Sequence, residues 1–164
     1  RLGMKNARRL GRIKLRDHPE GEPPISKLGF DPLVDPPTPT RFIEMLGERR
    51  GVLKGLLLNQ SFAAGIGNWI ADEVLYQAGI RPDRDADSLS DEEARLLLRK
   101  IKHVCKKAVE WDADYKRFPD TWLFLHRWSK RESKRAHIED GRGYKLKFET
   151  IAGRTTVWCP AVQC

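Results

Sequence analysis

A mainly α-helical chain ending in a β-hairpin is what two patterns in this 164-residue sequence predict. Apolar residues recur at spacings of three and four from Ala94 to Ala108, behind a helix-start signature. From Ala136 the period changes to two: Tyr144, Leu146 and Phe148 alternate with Lys145, Lys147 and Glu149.

The elements follow in order. Residues 8–16 (Arg-Arg-Leu-Gly-Arg-Ile-Lys-Leu-Arg) alternate, with Arg12, Lys14 and Arg16 between apolar positions, and read as one strand, half buried and half basic. A strand needs partners and the next 25 residues supply none, so its sheet is expected to lie outside this sequence. Residues 17–40 carry seven prolines and two glycines with almost no periodicity, the composition of a linker or an ordered loop. From Thr40, Phe42, Ile43 and Leu46 make a short amphipathic helix that breaks at Gly47 or Gly51. Lys54 to Gln60 predicts a second helical segment, and Ser61 to Gly67 has the small residues of a tight reversal. Asn68 to Ala78 is helical on the stripe Trp69, Ile70, Val74 and Leu75, with Gly79 at its end. Ser90 with Glu93 forms a capping box for the long helix, which ends near Trp111. Finally, Ile151-Ala152-Gly153-Arg154 turns the chain into Thr155-Thr156-Val157-Trp158, completing a hairpin.

Net charge is +8, and its distribution says more than its size. Residues 1–16 hold seven basic side chains and no acid; residues 115–164 hold eleven basic and five acidic; residues 17–114 hold thirteen basic and eighteen acidic. Basic ends around an acidic middle fit a polyanion gripped from two sides, and equally a solvated basic surface. No apolar run approaches the roughly 18 residues a membrane span needs, so no membrane partner is expected. Three cysteines, Cys105, Cys159 and Cys164, suggest no disulfide framework and fit a reducing, intracellular compartment. The chain opens on Arg1 without a signal-peptide pattern and reads as an internal piece of a longer protein.

Gly65-Ile66-Gly67-Asn68 stands at a helix start directly after another helix. Two glycines permit close backbone approach, and free N–H groups at a helix N-terminus attract an anion such as phosphate. Asn68 fits either as N-cap or as a side chain aimed at that anion. The tetrapeptide by itself is equally a plain helix–helix turn.

The longer stretch from Lys54 to Tyr76, Lys-Gly-Leu-Leu-Leu-Asn-Gln-Ser-Phe-Ala-Ala-Gly-Ile-Gly-Asn-Trp-Ile-Ala-Asp-Glu-Val-Leu-Tyr, resembles the helix–two-turn–helix of the formamidopyrimidine-DNA glycosylase and endonuclease VIII family. The resemblance extends outward in both directions. Ala7-Arg8-Arg9-Leu10-Gly11 looks like the end of the family's N-terminal β-sandwich; by that match Arg8 would face the orphaned base and Leu10, where Phe is frequent, would wedge into the stack. Lys54, Gly67 and Asn68 match groups that contact phosphates beside the lesion, and Gly153-Arg154-Thr155-Thr156-Val157-Trp158 matches the C-terminal hairpin whose arginine, Arg154, reaches the same backbone. In many relatives that hairpin is a zinc finger with two Cys-x-x-Cys pairs. Here Cys159 and Cys164 lie five positions apart and no second pair exists, so the tail Cys159-Pro160-Ala161-Val162-Gln163 is similar to the metal-free finger of plant and fungal members. Tyr144, Leu146, Phe148, Val157 and Trp158 are its expected packing supports, and His126 and His137 are read as surface or packing residues.

The resemblance implies four parts: 1–16 as the last strand of a β-sandwich, 17–38 as linker, 39–128 as the helix–two-turn–helix domain, and 129–164 as the zincless finger. It implies damaged double-stranded DNA as partner, no cofactor and no metal, a monomer, and a nuclear location. The parent enzyme would be a base-excision DNA glycosylase with lyase activity toward abasic sites, acting on oxidised bases. The family's nucleophile is the amine of an N-terminal proline followed by glutamate. No Pro-Glu begins this sequence, so no catalytic residue is assigned in it and this chain alone is expected to be inactive. Glu73 is expected to order the helices rather than do chemistry. Two other readings stay open: a non-catalytic DNA-binding module with the same grip, and an RNA-binding protein of ribosomal type.

Overall fold

The computed structural model describes residues 3–6, 11–128 and 137–164. Arg8 and Leu10, expected to fill the space of a displaced base, lie outside the described residues. Five α-helices and one two-stranded antiparallel sheet are described: α1 Pro39–Gly47, α2 Leu53–Leu58, α3 Asn68–Ala78, α4 Asp91–Glu110, α5 Leu123–His126, β1 Lys147–Ile151 and β2 Arg154–Trp158. The expected mainly α architecture with a terminal hairpin is therefore present.

Of the strand expected at 8–16, the part within the described residues is not. Residues 11–16 form no strand and are exposed, with Leu15 96% accessible. The period of two was real, but an unpaired strand has no ladder to satisfy its backbone, and no described segment pairs with this one.

The bundle is built from local signals that agree with one another. Thr38 caps α1 by accepting a bond from Arg41 N–H at 3.3 Å, with Pro39 at the first helical position. α4 carries the expected capping box, in which Ser90 Oγ accepts from Glu93 N–H while Glu93 accepts from Ser90 N–H. Gly79 ends α3 at φ +71°, a left-handed cap that suits glycine. Leu97, Ile101 and Val104 on α4 are fully buried against Phe42, Leu53, Leu57, Val74 and Leu75. Burial of each such side chain contributes about 1.5–3 kcal/mol.

The second half of the expected linker is part of this core. Phe30 is buried, packs edge-on against Phe62 (5.7 Å between centroids) and Phe42 (6.1 Å), and pairs with Ala63 in a short parallel bridge. Gly29 N–H donates to Gln60 O at 2.8 Å, and Ala64 N–H to Phe30 O at 2.9 Å. A linker-like composition thus hides a backbone clasp on the reversal between α2 and α3.

Hairpin register runs from Lys147 opposite Trp158 to Ile151 opposite Arg154. Ala152 (φ 51°) and Gly153 (φ 69°) make the two-residue turn, with the paired positive φ values of type I′. Leu146, Val157 and Cys159 pack on Tyr76 and Leu123, with Phe148 against their edge. Trp158 is buried between the Arg81 and Lys147 cations, 5.2 and 5.3 Å from its ring. Tyr144, expected among the supports, is instead 46% exposed, because it sits in the turn before β1, where its backbone N–H is held by Asp140.

Candidate nucleic-acid interface

The reversal between α2 and α3 is shaped by one side chain. Gln60 donates from Nε2 to the carbonyls of Leu58 (3.0 Å) and Ile66 (3.1 Å), and its Oε1 accepts from Gly65 N–H (2.9 Å). Gly65 adopts φ +81°, so glycine is required there by conformation. Gly67 differs. Its φ is −95°, and a Cβ built on it would meet open space.

Gly67, not Asn68, is the N-cap of α3, and no side chain caps this helix. The first-turn N–H groups therefore donate to no side-chain cap, and the positive end of the helix dipole lies behind them. Asn68 is the first helical residue. Its Nδ2 donates to Thr155 O at 2.9 Å, so the amide spans to the hairpin rather than capping its own helix. That bond sets the start of α3 beside the tip of β2. Arg154, the preceding residue, is exposed and forms no ion pair with any described residue.

Lys54 departs from expectation. Its ammonium is fully buried, 2.6 Å from Asp72 Oδ1, and donates to Thr156 Oγ1 at 2.6 Å and to Thr155 O at 3.4 Å. The ion pair with Asp72 and these two acceptors enclose the ammonium, so Lys54 is a buried tie rather than the exposed phosphate contact inferred from the resemblance. Burial lowers its pKa, and the attraction of Asp72 works the other way. Asp72 also accepts from Arg127 Nη2 at 2.6 Å and lies 3.4 Å from Val157 N.

Two further polar staples attach the hairpin. Tyr76 Oη donates to Asp140 Oδ2 at 2.5 Å, and Asp140 Oδ1 accepts from the N–H groups of Arg142 and Tyr144. Asp140 is buried, which opposes ionisation, yet these bonds hold its carboxyl below the usual range. At the tail, Gln163 accepts from Cys159 N–H and donates to Ile80 O, both at 2.8 Å. Among the described residues, no three His, Cys, Asp or Glu side chains cluster as a metal would require. Cys159 is buried in the apolar packing of the hairpin, Cys105 is buried on α4 with its thiol pushed up to about 11 by desolvation, and Cys164 is exposed. His126 Nε2 is 2.7 Å from Asp120 O, and His137 is exposed.

Glu73, next to Asp72, is buried and accepts from Gln77 Nε2 and Phe124 N–H, both at 2.8 Å. It ties α3 to α5 and faces no solvent. Burial raises its pKa to about 7, against the hydrogen bonds from Gln77 and Phe124. Asp72, Arg127, Gln60, Thr156 and Tyr76 were not singled out from sequence. For Asp72 the signal was weak, an acid on a largely apolar helix that the period of 3.6 alone assigns to neither face; Gln60, Arg127 and Thr156 carry no local pattern, because their partners are distant or lie across a loop.

The profile of the formamidopyrimidine-DNA glycosylase H2TH domain family matches residues 28–120. The chain belongs to the formamidopyrimidine-DNA glycosylase family. It is 43% identical over 162 residues to the formamidopyrimidine-DNA glycosylase of Arabidopsis thaliana, covering 99% of this chain and 40% of that protein. It is 35% identical over 174 residues to the Thermus thermophilus protein, covering 99% of this chain and 64% of the other. The crystal structure of a Thermus thermophilus member superposes with a TM-score of 0.73 at 34% identity, over 96% of this chain and 62% of that one. The Lactococcus lactis glycosylase in complex with DNA containing an abasic site gives 0.67 at 28% identity, over 84% and 52%. The chain therefore spans between about two fifths and just under two thirds of the length of these relatives. The matched domain begins at residue 28, where the clasp between Gly29 and Gln60 joins the bundle. Among the described residues, no helix is long and apolar enough to cross a membrane.

Proposed function

We propose that this chain is the DNA-holding part of a bifunctional base-excision glycosylase and abasic-site lyase acting on oxidised bases of the formamidopyrimidine and 8-oxoguanine type. The observation that carries this reading is the 2.9 Å bond from Asn68 to Thr155 O, which brings the uncapped start of α3 together with the hairpin tip at Arg154. A phosphate seated there would accept from backbone N–H groups at the helix dipole's positive end and pair with the Arg154 guanidinium. Open space in front of Gly67 leaves room for that approach. The Lactococcus lactis relative was solved on DNA with an abasic site, which supports DNA as the partner.

Within this reading Lys54 holds the hairpin from beneath, while Gly67, Asn68 and Arg154 form the grip. Arg8 and Leu10 keep their proposed task of filling the space a flipped nucleotide vacates. The partner is double-stranded DNA, bound by a monomer with a metal-free finger, in the nucleus. No residue among the 164 is assigned to the catalytic step; by resemblance that step belongs to a proline amine attacking C1′.

Fluorescence anisotropy with a duplex carrying an abasic-site analogue tests the grip. Affinity is expected to fall steeply between about 50 and 200 mM salt, and Arg154→Ala to flatten the log–log slope by about one. A salt-independent affinity would sink the reading. Borohydride trapping with abasic DNA distinguishes the enzyme from a non-catalytic module of the same grip. The full-length protein should form the adduct and the 164-residue chain should not.

A further inference from the structure

We propose that Asp72 is a positioning residue for the DNA-facing hairpin, acting through Lys54 and Thr156 to fix where Arg154 stands relative to the start of α3. The inference rests on the reading of Arg154 as a phosphate contact. It concerns a buried cluster to which that reading gave no DNA contact.

An unbroken polar path joins the two. The Asp72 carboxylate, 1% exposed on α3, lies 2.6 Å from Lys54 Nζ. Lys54 donates to Thr156 Oγ1 at 2.6 Å, and Thr156 Oγ1 donates its own proton to Arg154 O at 3.1 Å. The hydroxyl thus accepts once and donates once, with no ambiguity about direction. Asp72 Oδ2 also lies 3.4 Å from Val157 N, and Lys54 reaches Thr155 O at 3.4 Å. Every residue from Arg154 to Val157 is therefore tied to α2 or α3 through this one carboxylate and its lysine. Arg127, 2.6 Å from Asp72 Oδ2, holds the same carboxylate from the end of α5.

Apolar packing alone would not do this. The two-residue type I′ turn and the buried face of Leu146 and Val157 fix the pairing inside the hairpin, but non-directional apolar contact leaves the hairpin free to shift on the bundle, which would carry Arg154 away from Asn68. Buried charges give little net stability, but their partners must be matched atom for atom, so they select one seating of the hairpin over its neighbours. A fixed seating matters most where the residue to be placed, Arg154, has no ion-pair partner among the described residues.

The test is a double-mutant cycle on affinity for the abasic-analogue duplex, with Thr156→Val as the mild break in the path and Arg154→Ala as its end point. Arg154→Ala should weaken binding about tenfold and flatten the salt slope by about one. Thr156→Val should weaken binding about threefold, with a partial loss of slope, in the wild-type background, and should have no further effect in Arg154→Ala. Asp72→Asn, measured where circular dichroism shows it folded, should behave as Thr156→Val does but more strongly. If the Thr156→Val and Arg154→Ala losses multiply, the hairpin is placed without this path and the inference is overturned alone. If Arg154→Ala leaves affinity and slope unchanged, the reading of Arg154 fails and takes the inference with it. A Thr156→Val protein that binds like wild type also overturns the inference.

Discussion

The helical bundle and the hairpin are two halves held by opposite means. Around Phe42, Leu57, Leu97 and Ile101 the bundle is apolar contact, which has no preferred direction and forgives small displacements. The hairpin also buries apolar side chains, but it is seated on them by directional bonds: Lys54–Asp72–Arg127, Tyr76–Asp140 and Gln163–Ile80. The bundle is thus a source of stability, and the hairpin mounting is a source of placement. Such a division suits the proposed function, in which the start of α3 and Arg154 must be held at one distance to grip DNA.

The largest effect expected from breaking this contrast lies in the bundle. Leu97→Ala should cost about 4 kcal/mol in urea denaturation, because the fully buried side chain leaves a cavity. At temperatures where the protein stays folded, its DNA affinity should be unchanged. Asp72→Asn should cost less stability, about 3 kcal/mol, since it leaves two buried cations without their anion. It should cost far more affinity than Leu97→Ala. An equal ratio of affinity loss to stability loss in the two variants would erase the distinction drawn between the halves.

Glu73 gives a smaller effect that sharpens the boundary, because it belongs to the bundle by its partners and to the charged layer by its neighbour Asp72. Its folded pKa of about 7 lies above the ordinary 4.5, so the native state binds the proton more tightly than the unfolded chain. Its contribution is fully present below about pH 4.5 and is lost as pH rises through about 7. Glu73→Gln should remove that loss, making the variant relatively more stable at pH 8 than at pH 5 by on the order of 2 kcal/mol against wild type. Parallel stability–pH curves for the two proteins would show that the buried carboxyl is already neutralised by its surroundings.

What could be read from the sequence follows the same division. The capping box at Ser90, the stripe on α4, the helix from Asn68 to the cap at Gly79 and the turn at Ala152-Gly153 are local patterns, and local patterns survive in one dimension. Lys54 was singled out for its match, yet its environment was misjudged because its partners Asp72 and Thr156 are 18 and 102 positions away. Phe30 looked like linker because its clasp depends on Gln60 and Ala64, and nothing in a proline-rich stretch announces a backbone pairing partner. Residues 11–16, the described part of the expected strand, form none for the converse reason: the alternation is visible, but a strand exists only with a neighbour, and none of the described segments pairs with it.

Gly29 and Gly141 carry a consequence for how such a protein can change. A Cβ at Gly29 would stand 2.1 Å from Phe62 O, and one at Gly141 would stand 2.1 Å from Asp120 O. At both places an appended segment meets the bundle backbone to backbone, with no side chain between them to be trimmed or enlarged. Core positions such as Leu97 can drift through Met or Ile by small steps. These two seams admit no intermediate sequence, so the attachment of the entry segment and of the turn before β1 is fixed in a way that the interior they attach to is not.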